Sequence, residues 1–145
     1  MSAPAQWSIA RPKLLPREFL SGGKRTMRKK VLIVEDDAEF REMLARLLEL
    51  EGFSVVTVGN CIKAFSMFYT QHPSVVVTDL GLPDLSGFEL IRWAREKREF
   101  ADLPIVAISG YGRTYLRAAL ANGATEALDK TDDLDHLVDV LEKVA

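Results

Sequence analysis

Short, continuous apolar runs alternate along the chain with longer segments in which apolar residues recur every three or four positions. Continuous runs are typical of parallel strands covered on both faces, and the longer period is typical of amphipathic helices. The pattern therefore predicts alternating strands and helices from residue 30 onward. The predicted strands are VLIVE (31–35), FSVVTVG (53–59), SVVVTD (74–79), PIVAIS (104–109) and EALDK (126–130).

The predicted helices fill the intervals between these strands. The clearest helix follows the first strand and is expected to end at Gly52. Its apolar stripe consists of Phe40, Met43, Leu44, Leu47 and Leu48. Further helices are predicted over 61–69, 88–96 and 114–122, and a last one from about residue 133. Parallel strands need crossover connections, so the predicted fold class is α/β, with a single doubly wound five-stranded parallel sheet and helices on both faces.

The composition is that of one globular domain: 145 residues, 48% hydrophobic and 28% charged. No apolar run approaches the roughly 18 residues that span a bilayer, so membrane insertion is not expected. The single cysteine, Cys61, has no partner for an internal disulfide. A lone cysteine of this kind favours a reducing, cytoplasmic location.

Charge is distributed unevenly, because residues 1–28 are strongly basic while the rest of the chain is acidic, and the net charge is −2. The basic segment contains three prolines, Pro4, Pro12 and Pro16, and shows no sustained periodicity. We interpret it as a disordered arm or a linker, and residues 29–145 as the folded domain. A solvated tail is the simplest role for the arm, although a basic segment also suits an anionic surface or nucleic acid.

Polar residues collect where the predicted strands end. They are Glu35, Asp36 and Asp37 after the first strand, Asp79 after the third, Ser109 after the fourth and Lys130 after the fifth. Each has an ordinary structural explanation, as a helix cap, a turn residue or a surface lysine. Because sites in open α/β sheets form at the carboxyl ends of the strands, we expect these side chains to lie together.

The residue types point to phosphoryl transfer. Clustered carboxylates repel one another, and all-oxygen ligation suits Mg²⁺, which relieves that repulsion. Lysine and serine are donors for phosphate oxygens, and glycines such as Gly81 let backbone N–H groups approach closely. An aspartate can itself accept a phosphoryl group as an acyl phosphate. We therefore predict that Asp79 is the nucleophile and that the acids of the first strand bind the metal.

The segments VLIVEDD, VVVTDLGLPDLSGFELI and VAISGYG, with a lysine after NGATEALD, resemble the receiver domain of bacterial response regulators. The resemblance covers nearly the whole folded domain and implies a flavodoxin-like sheet of strand order 2-1-3-4-5. It also implies a signalling domain rather than an enzyme, in which Asp79 takes phosphate from a sensor histidine kinase or a phosphotransfer protein.

The resemblance further implies a role for each residue of the site. Asp36, Asp79 and the backbone carbonyl of Gly81 would bind Mg²⁺ directly, and Glu35 would act through water. The implied donors to the phosphoryl group are Ser109, through its hydroxyl, and Lys130, through its ammonium.

Two positions depart from the family pattern. Ala127 stands where an inward-turning aromatic residue is usual, and Thr131 stands where proline, often after a cis bond, is usual. A cis bond before threonine costs about 2.5–4 kcal/mol, so a trans bond is expected. These changes put the output switch in question. Tyr111 could act as a substitute aromatic gate, but the favoured interpretation is that it is a partly exposed packing residue.

Other functions fit the sequence less well. A haloacid dehalogenase-type phosphatase needs an acid two residues after the nucleophile, where this chain has Gly81. A P-loop is poor because GGKR (22–25) lacks the following Ser or Thr. A flavin site would need a hydroxyl-rich loop after the first strand. A receiver-fold scaffold that works without phosphorylation remains the alternative.

The predicted output is a protein contact, a phosphorelay step or a domain outside this sequence. The acidic body disfavours direct nucleic-acid binding, and no room for a DNA-binding domain follows the last helix. A free single-domain regulator and the receiver of a hybrid kinase both fit. Homodimerisation through the face formed by helix 4, strand 5 and helix 5 is a further expectation.

Overall fold

Five parallel strands form one sheet in the order β2-β1-β3-β4-β5. The structure, a computed structural model, describes residues 28–145, so the predicted basic arm lies outside the described residues except for Arg28. The strands are β1 (Lys30–Val34), β2 (Ser54–Val58), β3 (Val75–Asp79), β4 (Ile105–Ser109) and β5 (Glu126–Asp129). Strand order and direction confirm the predicted fold class.

Helices cover both faces of the sheet. The α-helices are α1 (Ala38–Leu50), α2 (Cys61–Gln71), α3 (Gly87–Glu96), α4 (Arg113–Ala121) and α5 (Leu137–Val144). There are also two short 3-10 helices in residues 28–145. Arg98–Phe100 follows α3, and Leu134–His136 precedes α5. No helix within residues 28–145 has the length and apolarity that crossing a membrane requires.

Alternating side chains divide the core into two layers. Val31 and Ile33 of β1 pack with α1 and α5, whereas Leu32 and Val34 pack with α2, α3 and α4. All four are fully buried. A strand covered on both faces cannot show a polar alternation, which is why its sequence is a continuous apolar run.

Side-chain caps set the helix starts near the site. Asp37 caps α1 by accepting a hydrogen bond from the Phe40 N–H at 3.2 Å. At the start of α3, Ser86 and Glu89 form a capping box. Since Asp37 is used as the cap, the neighbouring Asp36 carboxylate is available at the sheet edge.

The last helix starts later than the sequence pattern suggests. The pattern predicts a start at about residue 133, but the α-helix begins at Leu137 after the 3-10 turn. The carboxylate of Asp133 accepts a hydrogen bond from the Asp129 N–H at 3.0 Å. That side chain therefore closes the loop after β5 and does not cap the helix.

Candidate functional site

The three carboxylates predicted to bind metal lie together at the carboxyl edge of the sheet. One oxygen from each of Glu35, Asp36 and Asp79 falls within 4.8 Å of the others. β1 and β3 are neighbours with Val34 paired to Thr78, so the residues that follow, Glu35 and Asp79, emerge side by side. Glu35 is 1% exposed and Asp79 5% exposed, whereas Asp36 is open to solvent.

Lys130 reaches this cluster from the end of β5. Its Nζ lies 2.9 Å from Glu35 Oε1 and 3.4 Å from Asp79 Oδ2, and its side chain is 23% exposed. Its backbone N–H donates to the Ser109 carbonyl at 3.0 Å, and this bond fixes the backbone position from which the Lys130 side chain extends. Burial acts to lower the pKa of Lys130, but the contacts with Glu35 and Asp79 outweigh it and raise the pKa. Lys130 therefore carries its positive charge at neutral pH.

Burial raises the pKa of the Glu35 carboxyl. The contact with Lys130 and a hydrogen bond from the Asp37 N–H at 3.1 Å oppose this rise. Glu35 is thus a carboxylate committed to protein partners. That arrangement suits an indirect role at a metal better than direct ligation.

The charge balance of the cluster favours a divalent cation. Glu35, Asp36 and Asp79 supply three carboxylates, and Lys130 is the cation that contacts them among residues 28–145. The excess negative charge is costly unless a cation neutralises it. Oxygen donors, one of them solvent-exposed, fit Mg²⁺, which keeps several waters and uses one or two carboxylates.

Ser109 lies beside Asp79 across the sheet. Asp79 pairs with Ile108 of β4, so Ser109 ends its strand at the same edge, and it is fully buried. Its Oγ accepts a hydrogen bond from the Tyr111 N–H at 3.0 Å. A hydroxyl has one proton to donate, and this acceptor role leaves that proton available for a phosphoryl oxygen.

Tyr111 covers the loop after β3. A Cβ placed on Gly81 would lie 3.1 Å from Tyr111 Cε2, so the ring lies against the glycine. The ring centroid is 5.2 Å from that of Tyr115, which lies 5.9 Å from that of Phe88. Tyr111 is nevertheless 65% exposed, which fits the partly exposed packing residue favoured by the sequence.

The two departures from the family pattern lie in β5, at Ala127, and in the loop that follows it, at Thr131. Ala127 is half-buried against the layer of α2, α3 and α4. No peptide bond in residues 28–145 is cis, so the predicted trans bond before Thr131 is confirmed. The Thr131 N–H donates to Asp129 Oδ1 at 2.7 Å, and this Asp129 contact closes the turn.

Sequence reasoning missed three residues near the site. Asp84 accepts hydrogen bonds from the N–H groups of Cys61 and Ile62, at 3.0 and 2.9 Å, and so ties the loop after β3 to α2. Arg41 Nη1 donates to the Glu35 carbonyl at 2.8 Å. The Phe40 ring centroid lies 4.7 Å from Lys130 Nζ.

Local sequence offers little signal for these three roles. Asp84 has the appearance of an ordinary turn acid, and Phe40 belongs to a regular apolar stripe. Burial acts to raise the pKa of Asp84, but the backbone N–H donors at Cys61, Ile62 and Leu85 together outweigh it and lower the pKa. The carboxylate is therefore charged where it holds the start of α2.

Comparison with known proteins gives a consistent match. Residues 31–142 match the family model described as the response regulator receiver domain. The transcriptional regulatory protein KdpE of Staphylococcus aureus is 35% identical over 123 residues, which are 82% of this chain and 52% of that protein. An uncharacterized 14.6 kDa protein of Leptolyngbya boryana is 34% identical over 114 residues, covering 78% of this chain and 87% of the relative.

A solved structure shares the architecture. The response regulator receiver protein from Pseudomonas putida superposes with a TM-score of 0.74 at 29% identity, over 82% of this chain and 99% of the other. The chain thus spans nearly all of that structure but about half the length of KdpE.

Proposed function

The chain belongs to the family of bacterial response regulator receiver domains, and on that premise we propose that it accepts a phosphoryl group on Asp79. The donor would be a phosphohistidine on a sensor histidine kinase or a phosphotransfer protein, the partners with which receiver domains interact. The observation that carries the proposal is the 5%-exposed Asp79 carboxylate, flanked by Lys130 and by the acids Glu35 and Asp36.

The proposed step is an in-line displacement at phosphorus. An Asp79 carboxylate oxygen forms a bond to phosphorus while the bond from phosphorus to the donor imidazole nitrogen breaks. The electron pair returns to that nitrogen, which takes up a proton, and Asp79 becomes an acyl phosphate. Lys130 and the Ser109 hydroxyl donate to the phosphoryl oxygens and stabilise the charge that develops on them.

Asp36, Asp79 and the carbonyl of Gly81 would hold Mg²⁺, with Glu35 acting through a water molecule. When bound, the cation neutralises charge on the transferring oxygens. The fit rests on the all-oxygen donor set and on its excess of carboxylates over ammonium groups.

The proposal also covers the domain organisation. Residues 29–145 would form the receiver domain, which agrees with the family match over 31–142. Residues 1–28 would serve as an arm or linker, as predicted from the sequence. The location would be the cytoplasm, which is also the sequence prediction.

The first prediction concerns Mg²⁺ dependence. Incubated with Mg²⁺ and acetyl phosphate, the intact chain should gain the mass of one phosphate, and an excess of EDTA should prevent the gain. Asp37→Asn is the matched control, because the Asp37 side chain adjoins the acidic cluster but is used as the cap of α1. It should take up phosphate like the wild type.

Phosphate uptake that is equal with and without EDTA would contradict a metal role. If the wild type gains no phosphate although Mg²⁺ binding is measured by calorimetry, the phosphorylation-independent scaffold becomes the better account. Ala127, which leaves the usual aromatic position without a ring, is the observation that favours this second function.

We further propose that phosphorylation draws Ser109 and its loop inward and shifts α4. The helix is lightly anchored. Its N-cap residue, Gly112, has no side chain that could cap it, and Ala119 is the one residue of the helix that is buried. A shift of α4 would alter the surface formed by α4, β5 and α5. That surface would contact a partner protein or a second copy of the chain.

Hydrogen exchange tests this switch. Amides of α4, residues 113–121, should change their protection on phosphorylation, while amides of β1 and β3 should not. Identical protection of α4 in the phosphorylated and unphosphorylated wild type would refute the switch. Asp79→Asn, treated with the same donor, provides the unphosphorylated control.

A further inference from the structure

We propose that Phe40 is a positioning residue for phosphoryl transfer, holding the Lys130 ammonium over its aromatic face. The Lys130 Nζ lies 4.7 Å from the Phe40 ring centroid, well inside the range of a cation–π contact. This inference rests on the proposed transfer to Asp79 and concerns how the lysine is kept available for it.

The structure fixes Phe40 from two sides. Its backbone lies in the first turn of α1, where its N–H donates to the capping carboxylate of Asp37. Its half-buried side chain packs against the layer of α1 and α5. The ring is therefore set in place by the start of α1, while Lys130 reaches it from the end of β5, at the same edge of the sheet.

Three groups surround the Lys130 ammonium: the Glu35 carboxylate at 2.9 Å, the Asp79 carboxylate at 3.4 Å and the Phe40 ring. During transfer, the ammonium must exchange carboxylate contacts for a phosphoryl oxygen. A third carboxylate in place of the ring would slow this exchange, because its full negative charge would compete with the phosphoryl oxygen for the ammonium. The ring attracts a cation through its quadrupole, without a formal charge, and so stabilises Lys130 before and after the exchange.

A neighbouring cation, Arg41, does not share this position. Arg41 follows Phe40 in α1, but its Nη1 donates to the Glu35 backbone carbonyl at 2.8 Å. Within the part of the chain that the structure describes, Lys130 is the cation in ion-pair contact with Asp79. Loss of the ring would therefore affect the single donor lysine of the reaction.

The experiment measures the initial rate of phosphorylation by acetyl phosphate at saturating Mg²⁺. Phe40→Leu and Phe40→Met, which keep apolar bulk without a ring, should lower the rate about two- to fivefold, the usual worth of a cation–π contact at a partly exposed site. Phe40→Tyr keeps the ring and should stay close to the wild-type rate. Leu47→Ala, a packing change farther along the same face of α1, should also leave the rate unchanged.

A double-mutant cycle separates positioning from general packing. In a Lys130→Met background, Phe40→Leu should cause no further loss of rate, because the cation it positions is gone. Wild-type rates for Phe40→Leu and Phe40→Met, an equal loss in Phe40→Tyr, or an undiminished effect in the Lys130→Met background would each overturn the inference.

The two proposals fail in different ways. A wild type that takes up no phosphate would refute the proposed function itself. A wild type that is phosphorylated no faster than Phe40→Leu and Phe40→Met would refute only the role of the ring. Circular dichroism of each variant tests whether it is folded. Because there are two ringless variants, the test can still be made if one of them does not fold.

Discussion

Replacing Asp79 with asparagine is expected to abolish phosphate uptake and, in the metal-free protein, to raise the free energy of unfolding by about 1 kcal/mol. The first effect follows because an amide oxygen is too weak a nucleophile to form the acyl phosphate. The second follows because Asp79 contributes one of three clustered carboxylates. A site arranged to bind a cation is strained by repulsion when the cation is absent.

The sign of the stability change depends on the interactions that the substitution removes. The variant loses the attraction between Asp79 and Lys130, which lie 3.4 Å apart, but it also loses the repulsion between Asp79 and the carboxylates of Glu35 and Asp36. Lys130 keeps its shorter contact with Glu35 at 2.9 Å. Repulsion from two like charges outweighs one shared attraction, so the variant should be the more stable.

Denaturant unfolding with and without Mg²⁺ measures this effect. In EDTA the variant should unfold at higher denaturant concentration than the wild type. With excess Mg²⁺ the gap should shrink or reverse, because binding to the native state stabilises the wild type. A variant that is less stable than the wild type in EDTA would show that Asp79 is held mainly by its attraction to Lys130.

Replacing Gly87 with alanine is expected to destabilise the domain by about 3 kcal/mol or more. Gly87 is the first residue of α3, where the chain passes directly over the end of β3. A Cβ at this position would collide with the Asp79 carbonyl oxygen and lie 2.8 Å from Leu80 Cα. Both neighbours are backbone, so the clash can be relieved only by moving α3 away from the strand.

Gly81→Ala is the matched control for this prediction. A Cβ at Gly81 would lie 3.1 Å from Tyr111 Cε2, but Tyr111 is 65% exposed and can rotate outward. We expect a loss below about 1 kcal/mol, as for ordinary surface substitutions. Equal losses for Gly81→Ala and Gly87→Ala in denaturant unfolding would contradict this account of how α3 packs on β3.

The architecture was predictable because each strand that is buried on both faces must be a continuous apolar run. Parallel strands also place their carboxyl ends at one edge, so Glu35 and Asp79 could be brought together on topology alone. The contact from Lys130 could be expected from the same rule, since it follows β5. Helix boundaries were less predictable, because the side chain of Asp133 closes a loop where the sequence suggested a helix start.

The roles of Phe40 and Asp84 could not be read from sequence. Phe40 has the spacing of a core residue and does pack as one, and only the arrival of Lys130 gives its ring a second contact. Asp84 caps a helix that begins 23 residues earlier in the chain. Local patterns carry no signal for contacts that depend on the packing of distant segments.

The most direct test of Asp79 as the acceptor is to locate the acyl phosphate chemically. Borohydride reduces an aspartyl phosphate to homoserine and leaves a phosphoserine intact, so peptide mass analysis of the reduced protein identifies the phosphorylated residue. After treatment with Mg²⁺ and acetyl phosphate, homoserine should replace aspartate at position 79 alone. Homoserine at Asp36 or Asp84, or an intact phosphate on Ser109 with Asp79 unchanged, would contradict the proposed function.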